Sequence, residues 1–286
     1  MKTELIYGKN IAQRMKKTII EDVKLFIDQT GFTPRICTFM VGDDKPSQMY
    51  MELRKKSCDL VGIDTERIVL DEEVSEKDLI ELIKKKNIQE NIHGILVQLP
   101  LPDHISTSNV FENINPCKDV EGLTPYNMGK TLIGDEYLVP CTPLAVLRIL
   151  EHIPFDLMGK NVTIINHSPI VGKPLAALCL NRNATVSVCH VYTDNILPFT
   201  KNADVVITAA GVPGLITANH VKKESIVIDV SIVKTDNGVI GDVDADSMVN
   251  HCLFLTPVPG GVGPVTVACA LENMVKTMNL TSKVLV

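Results

Sequence analysis

Tryptophan is absent from this 286-residue chain, and aromatic residues make up only 4% of it. An extended stacking surface for bases or sugars is excluded, although a single well-placed tyrosine still serves where one flat ring must be held. Cationic residues are also short. Lys and Arg total 28 against 34 for Asp and Glu, a formal charge of -6, so no global field draws the chain to nucleic acid or an anionic membrane. No run approaches the ~20 apolar residues that span a bilayer. The mixed charges of Met1 to Lys17 leave no apolar signal core of about 7–15 residues. The eight cysteines form no C-x-x-C pair and no zinc-spaced Cys/His cluster, so neither a disulfide framework nor a metal centre is expected. Several lie in apolar runs such as Ile36-Cys37-Thr38 and Val188-Cys189-His190, the setting of reduced, buried thiols and of a cytoplasmic protein.

What is present is globular composition, 45% hydrophobic and 22% charged, on a length that suits two modest domains. Short Val/Ile-rich runs alternate with helix-like segments, the pattern of parallel α/β architecture. In the second half strands are expected at Asn161 to Ile165, Thr185 to Cys189, Asp204 to Thr208, Ser225 to Val230 and Leu253 to Thr256. A helix follows the first of these, at Gly172 to Asn183. That is a Rossmann-like, doubly wound nucleotide-binding sheet. The first half groups differently, with strands at Arg35 to Val41, Ile68 to Leu70 and Gly94 to Leu99. Helices are expected from Pro46 to about Val61 and from Ser75 to about Lys85. The aperiodic stretch Asn115 to Pro143 marks the domain junction, and a last helix runs from about Val265 to Asn279.

Four features carry chemistry. Asn166-His167-Ser168 and Gly172 follow a strand and open a helix, a layout for phosphate: Ser168 offers a hydroxyl, Gly172 close backbone approach, and the helix its N–H groups and positive end. The motif G-x-G-x-x-G is absent, and an ordinary strand-to-helix turn fits the same residues. Tyr50 and Arg54 lie four apart on one helix face, either a surface stack or an aromatic platform beside a cation for a flat, acidic heterocycle. Gln98 interrupts an apolar strand, where a buried amide satisfies backbone or lines a ligand site. Pro257 to Pro264 packs three prolines and three glycines before a helix, as a rigid connector or a loop fitted over a ligand.

Taken together, VQLPLP (Val97 to Pro102), KDVEG (Lys118 to Gly122), PCTP (Pro140 to Pro143), SPIVGKP (Ser168 to Pro174), ATVSVCH (Ala184 to His190) and PVPGGVGP (Pro257 to Pro264), with Thr266 after it, resemble the methylenetetrahydrofolate dehydrogenase/methenyltetrahydrofolate cyclohydrolase family. The motifs stand in the family's order and cover nearly the whole chain. The resemblance implies two α/β domains around a cleft. Residues 1–140 plus 265–286 would form the folate-binding catalytic domain, and 141–264 the nucleotide-binding domain of a homodimer. It implies hydride transfer from 5,10-methylenetetrahydrofolate to NADP, with NAD as the alternative, and then hydrolysis to 10-formyltetrahydrofolate. Tyr50 matches the tyrosine that stacks on folate, Gln98 the glutamine bonded to the catalytic lysine, and Glu121 an aspartate that holds the pterin. Pro259, Gly260 and Gly261 fall in the substrate loop. Asn166, His167, Ser168, Gly172, His190 and Val191 match the cofactor segments, and Ile232 lies beside the nicotinamide.

The departures are informative. The family's catalytic lysine position is Arg54, and a guanidinium, with a pKa above about 12, does not shuttle protons as a buried amine does. Lys55 and Lys56 project about 140° and 240° from Tyr50 around the helix and do not substitute. A dehydrogenase with weak or absent cyclohydrolase is therefore expected, since the hydride step needs mainly orientation. Glu121 moves its carboxylate outward by one methylene. Asn166-His167-Ser168 replaces the usual Gly-Arg-Ser, removing a fixed cation from the 2′-phosphate position, and Val191 and Ser231 replace the commoner Ser and Gly. A homologue that binds folate or nucleotide without turnover is the competing reading. Intact Tyr50, Gln98 and the Pro257 to Pro264 loop argue against it.

Overall fold

The computed structural model describes residues 2–236 and 238–282. Its strands are β1 (Glu4–Leu5), β2 (Arg35–Val41), β3 (Asp64–Leu70), β4 (Gly94–Val97), β5 (Asn161–Ile165), β6 (Thr185–Cys189), β7 (Val205–Thr208), β8 (Ile226–Asp229), β9 (Val233–Thr235), β10 (Gly238–Ile240) and β11 (Phe254–Leu255). The α-helices are α1 (Gly8–Thr30), α2 (Lys45–Val61), α3 (Glu76–Asn87), α4 (Thr107–Glu112), α5 (Pro125–Leu132), α6 (Cys141–His152), α7 (Gly172–Asn181), α8 (Leu197–Thr200), α9 (Ala245–Met248) and α10 (Val262–Ser282). None of the described helices is long and apolar enough to cross a membrane.

Two compact units result. The first holds the N-terminal residues through Gln13, 131–135 and Pro140–Cys269; the second holds Arg14–Lys130, Glu136–Val139 and the chain from Ala270. The second unit carries a parallel sheet in the order β3-β2-β4. Phe39, Leu79, Ile83, Val97 and Val110 pack its core. Local chemistry sets the helices. Asp44 accepts the Ser47 N–H at 2.8 Å to start α2, and Gly62, at φ 82°, ends it in the left-handed region. Ser75 caps α3 by accepting the Asp78 N–H at 3.1 Å, with Glu76 and Asp78 in the first turn and Lys84 to Lys86 in the last, where those signs suit the helix dipole.

The first unit carries a parallel sheet in the order β1-β11-β8-β7-β5-β6, together with the antiparallel pair β10-β9. From β5 the chain passes to β6 on one side and then to β7 on the other. The strand order therefore reverses at β5, the place where open α/β sheets take ligands at their carboxyl ends. Val206, Val227, Met248 and Leu255 belong to its core.

The structure moves several expected boundaries. β3 starts at Asp64 rather than Ile68, because β2 pairs with it in register along its whole length and the ladder carries polar residues that hydrophobicity does not mark. β4 stops at Val97, before Leu99: Gln98 makes a last bond to the Phe39 carbonyl (2.8 Å), and Pro100 has no N–H to offer. The stretch Asn115 to Pro143, expected to lack periodicity, contains α5, opened by the Thr124 hydroxyl accepting the Asn127 N–H (3.3 Å) and by Pro125 in the first turn. α10 begins at Val262, inside the Gly/Pro run, with Pro264 in the first turn where a missing N–H costs no bond.

Candidate functional site

In the second unit the site starts on α2. Tyr50 and Arg54, one turn apart, meet face to cation: the guanidinium carbon lies 4.9 Å from the ring centroid. Arg54 is buried at 6% exposure, whereas Tyr50 is half-buried. The Arg54 Nη1 donates to Gln98 Oε1 at 3.4 Å, and Gln98 Nε2 donates to the Leu99 carbonyl at 2.8 Å. Gln98 therefore uses both partners that a buried amide can seek, backbone and a neighbouring side chain. Among the described residues the Arg54 Nε finds no hydrogen-bond acceptor. A buried guanidinium N–H left unmatched is costly, and this one has essentially no surface open to solvent.

Glu121 joins this group through a turn that β4 positions. Gly94, the first residue of β4, leaves room for Val120, since a Cβ there would stand 2.4 Å from Val120 Cγ2. The Val120 N–H donates to the Ile95 carbonyl (3.3 Å). The half-buried Glu121 carboxyl is pushed up to about 7, first by burial. The Arg54 charge pulls against that shift, and Asp119 adds to it. Asp119 and Lys118 are site neighbours that sequence reasoning quoted within a motif but did not single out. Asp119 is 1% exposed and accepts the Thr124 N–H (2.8 Å) and Asn127 Nδ2 (2.9 Å) on Oδ2, while its Oδ1 has no partner among the described residues. Lys118 is buried with its amine on the Gln89 carbonyl at 2.7 Å, a bracing role.

In the first unit the turn after β5 is organised by one side chain. The Asn166 amide oxygen accepts the N–H groups of Ser168 (2.8 Å) and Gly172 (3.0 Å), and its nitrogen donates to the Ala209 carbonyl after β7 (2.7 Å). Gly172 is required: a Cβ would fall 2.0 Å from the Asn166 carbonyl oxygen. Contrary to expectation, the helix start offers few open amides. Ser168 takes the N–H groups of Val171 on its hydroxyl (3.2 Å) and of Lys173 on its carbonyl (3.1 Å). The Ser168 hydroxyl proton and the positive end of α7 remain for a phosphate. His167 is exposed, and its ring lies 4.7 Å from that of His190, which follows β6 in register beside β5. Val191 is exposed.

Two buried carboxylates brace the neighbouring strand ends, and sequence reasoning missed both. Asp242 accepts the Thr208 hydroxyl (2.5 Å) and the N–H groups of Ala210 and Val212 (2.7 Å each); Asp229 accepts those of Ser231 (3.0 Å) and Val243 (2.8 Å). Burial pushes Asp229 up to about 6. The available signal was an acid closing the aliphatic run Ile226 to Asp229. Ile232, exposed, stands 4.0 Å from where a Cβ on Gly263 would be, so it borders the start of α10. The preceding loop is tight: the Gly8 N–H donates to the Gly260 carbonyl (2.9 Å) and the Gly261 N–H to that of Pro257 (2.8 Å), with Gly260 at φ 105° and Pro259 between them in sequence.

The structure thus brings Tyr50, Arg54, Gln98 and Glu121 together in one unit. In the other it gathers Asn166, His167, Ser168, Gly172 and His190, and separately Ile232 with the Pro257 to Pro264 loop.

Family models match both parts of the chain. The model of the catalytic domain of tetrahydrofolate dehydrogenase/cyclohydrolase matches residues 6–121, and that of the family's NAD(P)-binding domain matches 140–282. The bifunctional protein FolD of Methanosarcina barkeri is 47% identical over 272 residues, 95% of each chain. The bifunctional methylenetetrahydrofolate dehydrogenase/cyclohydrolase FolD of Campylobacter jejuni aligns with a TM-score of 0.94 at 40% identity, over 97% of this chain and 99% of its own. The Trypanosoma brucei methylenetetrahydrofolate dehydrogenase-cyclohydrolase, solved with NADP and an inhibitor, aligns at 0.93 and 33% identity over 98% of both chains.

Proposed function

The chain belongs to the tetrahydrofolate dehydrogenase/cyclohydrolase family, and from that premise we propose how its residues serve the reaction. It is an NAD(P)-dependent methylenetetrahydrofolate dehydrogenase, oxidising 5,10-methylenetetrahydrofolate to the 5,10-methenyl compound. NADP, with NAD as the alternative, supplies the nicotinamide that accepts the hydride. Residues 1–140 with 265–286 serve folate, and 141–264 serve the nucleotide, in a cytoplasmic homodimer.

The observation that carries the division of roles is the Tyr50–Arg54–Gln98 constellation. Tyr50 presents a ring on which a pterin stacks, Arg54 a fixed cation, and Glu121 a carboxylate for pterin N–H groups. Pro259, Gly260 and Gly261 supply a close-fitting backbone edge to the substrate. The cofactor turn fits its ligand in donor chemistry: the Ser168 hydroxyl, the end of α7 and two imidazoles are groups an anionic nucleotide uses, and the missing Cβ of Gly172 keeps the turn close. Arg54 holds positive charge but carries no movable proton, so hydrolysis of the methenyl product is slow beside the oxidation.

Purified protein is expected to form methenyltetrahydrofolate at a readily measured rate with NADP or NAD, and to convert it to 10-formyltetrahydrofolate at least about tenfold more slowly. Arg54→Lys restores the second step. Absence of methenyl formation with both nucleotides overturns the dehydrogenase assignment; hydrolysis as fast as oxidation in the unaltered chain overturns the role given to Arg54.

A further inference from the structure

α10 carries an asparagine in its apolar interior. Asn273 is fully buried, and its neighbours Leu271, Met274 and Val275 are buried as well. Asparagine is a poor helix former, and an amide taken out of water is costly unless its protons are met. Both are met here, across long stretches of chain. Nδ2 donates to the Val120 carbonyl at 2.9 Å and to the Val139 carbonyl at 2.8 Å, all within the second unit. The first of these carbonyls belongs to the peptide bond that leads into Glu121. The packing around it is close: a Cβ on Gly94 would stand 2.4 Å from Val120 Cγ2 and 2.5 Å from Met274 Sδ, so β4, Val120 and α10 meet where β4 has no side chain. On the other side of Glu121, the Gly122 N–H returns to the Asp119 carbonyl (3.3 Å). Glu121 is therefore flanked by two held peptides, the one before it by Asn273 and the one after it by its own turn.

We infer that Asn273 is a positioning residue for the folate reaction: it orients the peptide that enters Glu121 and so aims the carboxyl at the pterin. Two held peptides fix the backbone angles of the residue between them, and with those angles the direction of its Cα–Cβ bond. Glu121 has one more rotatable bond than an aspartate, so less of its aim comes from a short side chain and more must come from the backbone. A neutral amide supplies that restraint without adding a charge beside Arg54 and Asp119. The hydride step is sensitive to such aim, since about 1 Å of misplacement costs on the order of 100-fold in rate. The role of Asn273 rests on the pterin contact proposed for Glu121.

Steady-state dehydrogenase kinetics of the intact protein test this through a double-mutant cycle. Asn273→Ala is expected to lower kcat/KM for 5,10-methylenetetrahydrofolate by about tenfold or more, while the KM of the nucleotide changes by less than about twofold. Glu121→Gln, which exchanges the carboxylate for a weaker acceptor, also lowers kcat/KM for the folate substrate. Added to Glu121→Gln, Asn273→Ala is expected to cost less than about threefold more, because an amide that acts through Glu121 then has little left to aim. An amide that merely braces the fold costs the same in both backgrounds. Equal losses in the two backgrounds, or a loss shared with the nucleotide KM, therefore overturn the inference and leave the pterin contact of Glu121 standing. Asn273→Ser, which keeps one donor in a smaller side chain, is read in the same way if the alanine variant does not fold; failure of both to fold marks the amide as general scaffold and overturns its assigned role. If Glu121→Gln alone leaves kcat/KM for the folate substrate unchanged, the pterin contact itself falls, and the role of Asn273 with it.

Discussion

At the scale of single residues, Glu121 and Arg54 exchange the usual properties of an acid and a base. The cation cannot give up its proton, and the carboxyl can be protonated near neutrality. Because burial raises Glu121 from 4.5 to about 7, the folded chain holds a proton between those values that the unfolded chain has released. Stability therefore falls as pH rises through that window, and above about 7 the whole cost of a buried charge is present. Glu121→Gln removes that cost. Its melting temperature is expected to exceed that of the unaltered chain at about pH 8 and to equal or fall below it at about pH 4.5. Thermal scans at the two values decide the matter: a gain no larger at the higher pH contradicts the assigned shift. In the role proposed for Glu121, the form that is costly for folding is the one that would accept N–H groups from a pterin. The site thus retains a destabilised group for the ligand to match.

At the scale of elements, the β5–α7 turn shows how much one side chain decides. Asn166 closes three hydrogen bonds that tie the turn to itself and to the end of β7. Asn166→Ala is expected to cost roughly 1–3 kcal/mol in urea denaturation and to weaken NAD and NADP alike, because it loosens the turn rather than removing a 2′ contact. Weakening of NADP alone would contradict this.

The turn also marks where sequence reading succeeded. Val/Ile-rich runs located β2, β5 and β6 to the residue; β2 and β5, largely buried, announce themselves by composition, and β6 does so although it is a partly exposed edge strand. It missed the polar half of β3, which hydrogen bonding to β2 creates, and α5, whose start lies in a capping hydroxyl rather than in an apolar stripe. Of the site, Tyr50 and Arg54 were legible as neighbours, because helix geometry alone joins residues four apart. Their approach to Gln98 and Glu121 followed from the family resemblance and not from periodicity, because it depends on packing between β4, α2 and the turn after Asp119. The amides at the start of α7 were read as open. Side-chain capping by Ser168 and Asn166, which no periodicity records, closes most of them.

At the scale of the whole molecule, charge sets a problem that local chemistry must solve. The chain carries -6 at neutral pH, and both of its ligands are anions, a folate with carboxylates and a nucleotide with phosphates. The long-range field therefore opposes their approach, while a buried cation such as Arg54 acts only over contact distances. Salt screens the long-range part first: the Debye length falls from about 30 Å at 0.01 M to about 8 Å at 0.15 M. Added salt is thus expected to leave the association rate of NADP unchanged or to raise it, by up to about threefold, over that range. Stopped-flow measurement of nucleotide binding at a fixed pH near 7 gives the sign directly. A steep fall with salt, as in proteins that draw polyanions by a basic surface, would mean that a positive field dominates the nucleotide's approach despite the net charge.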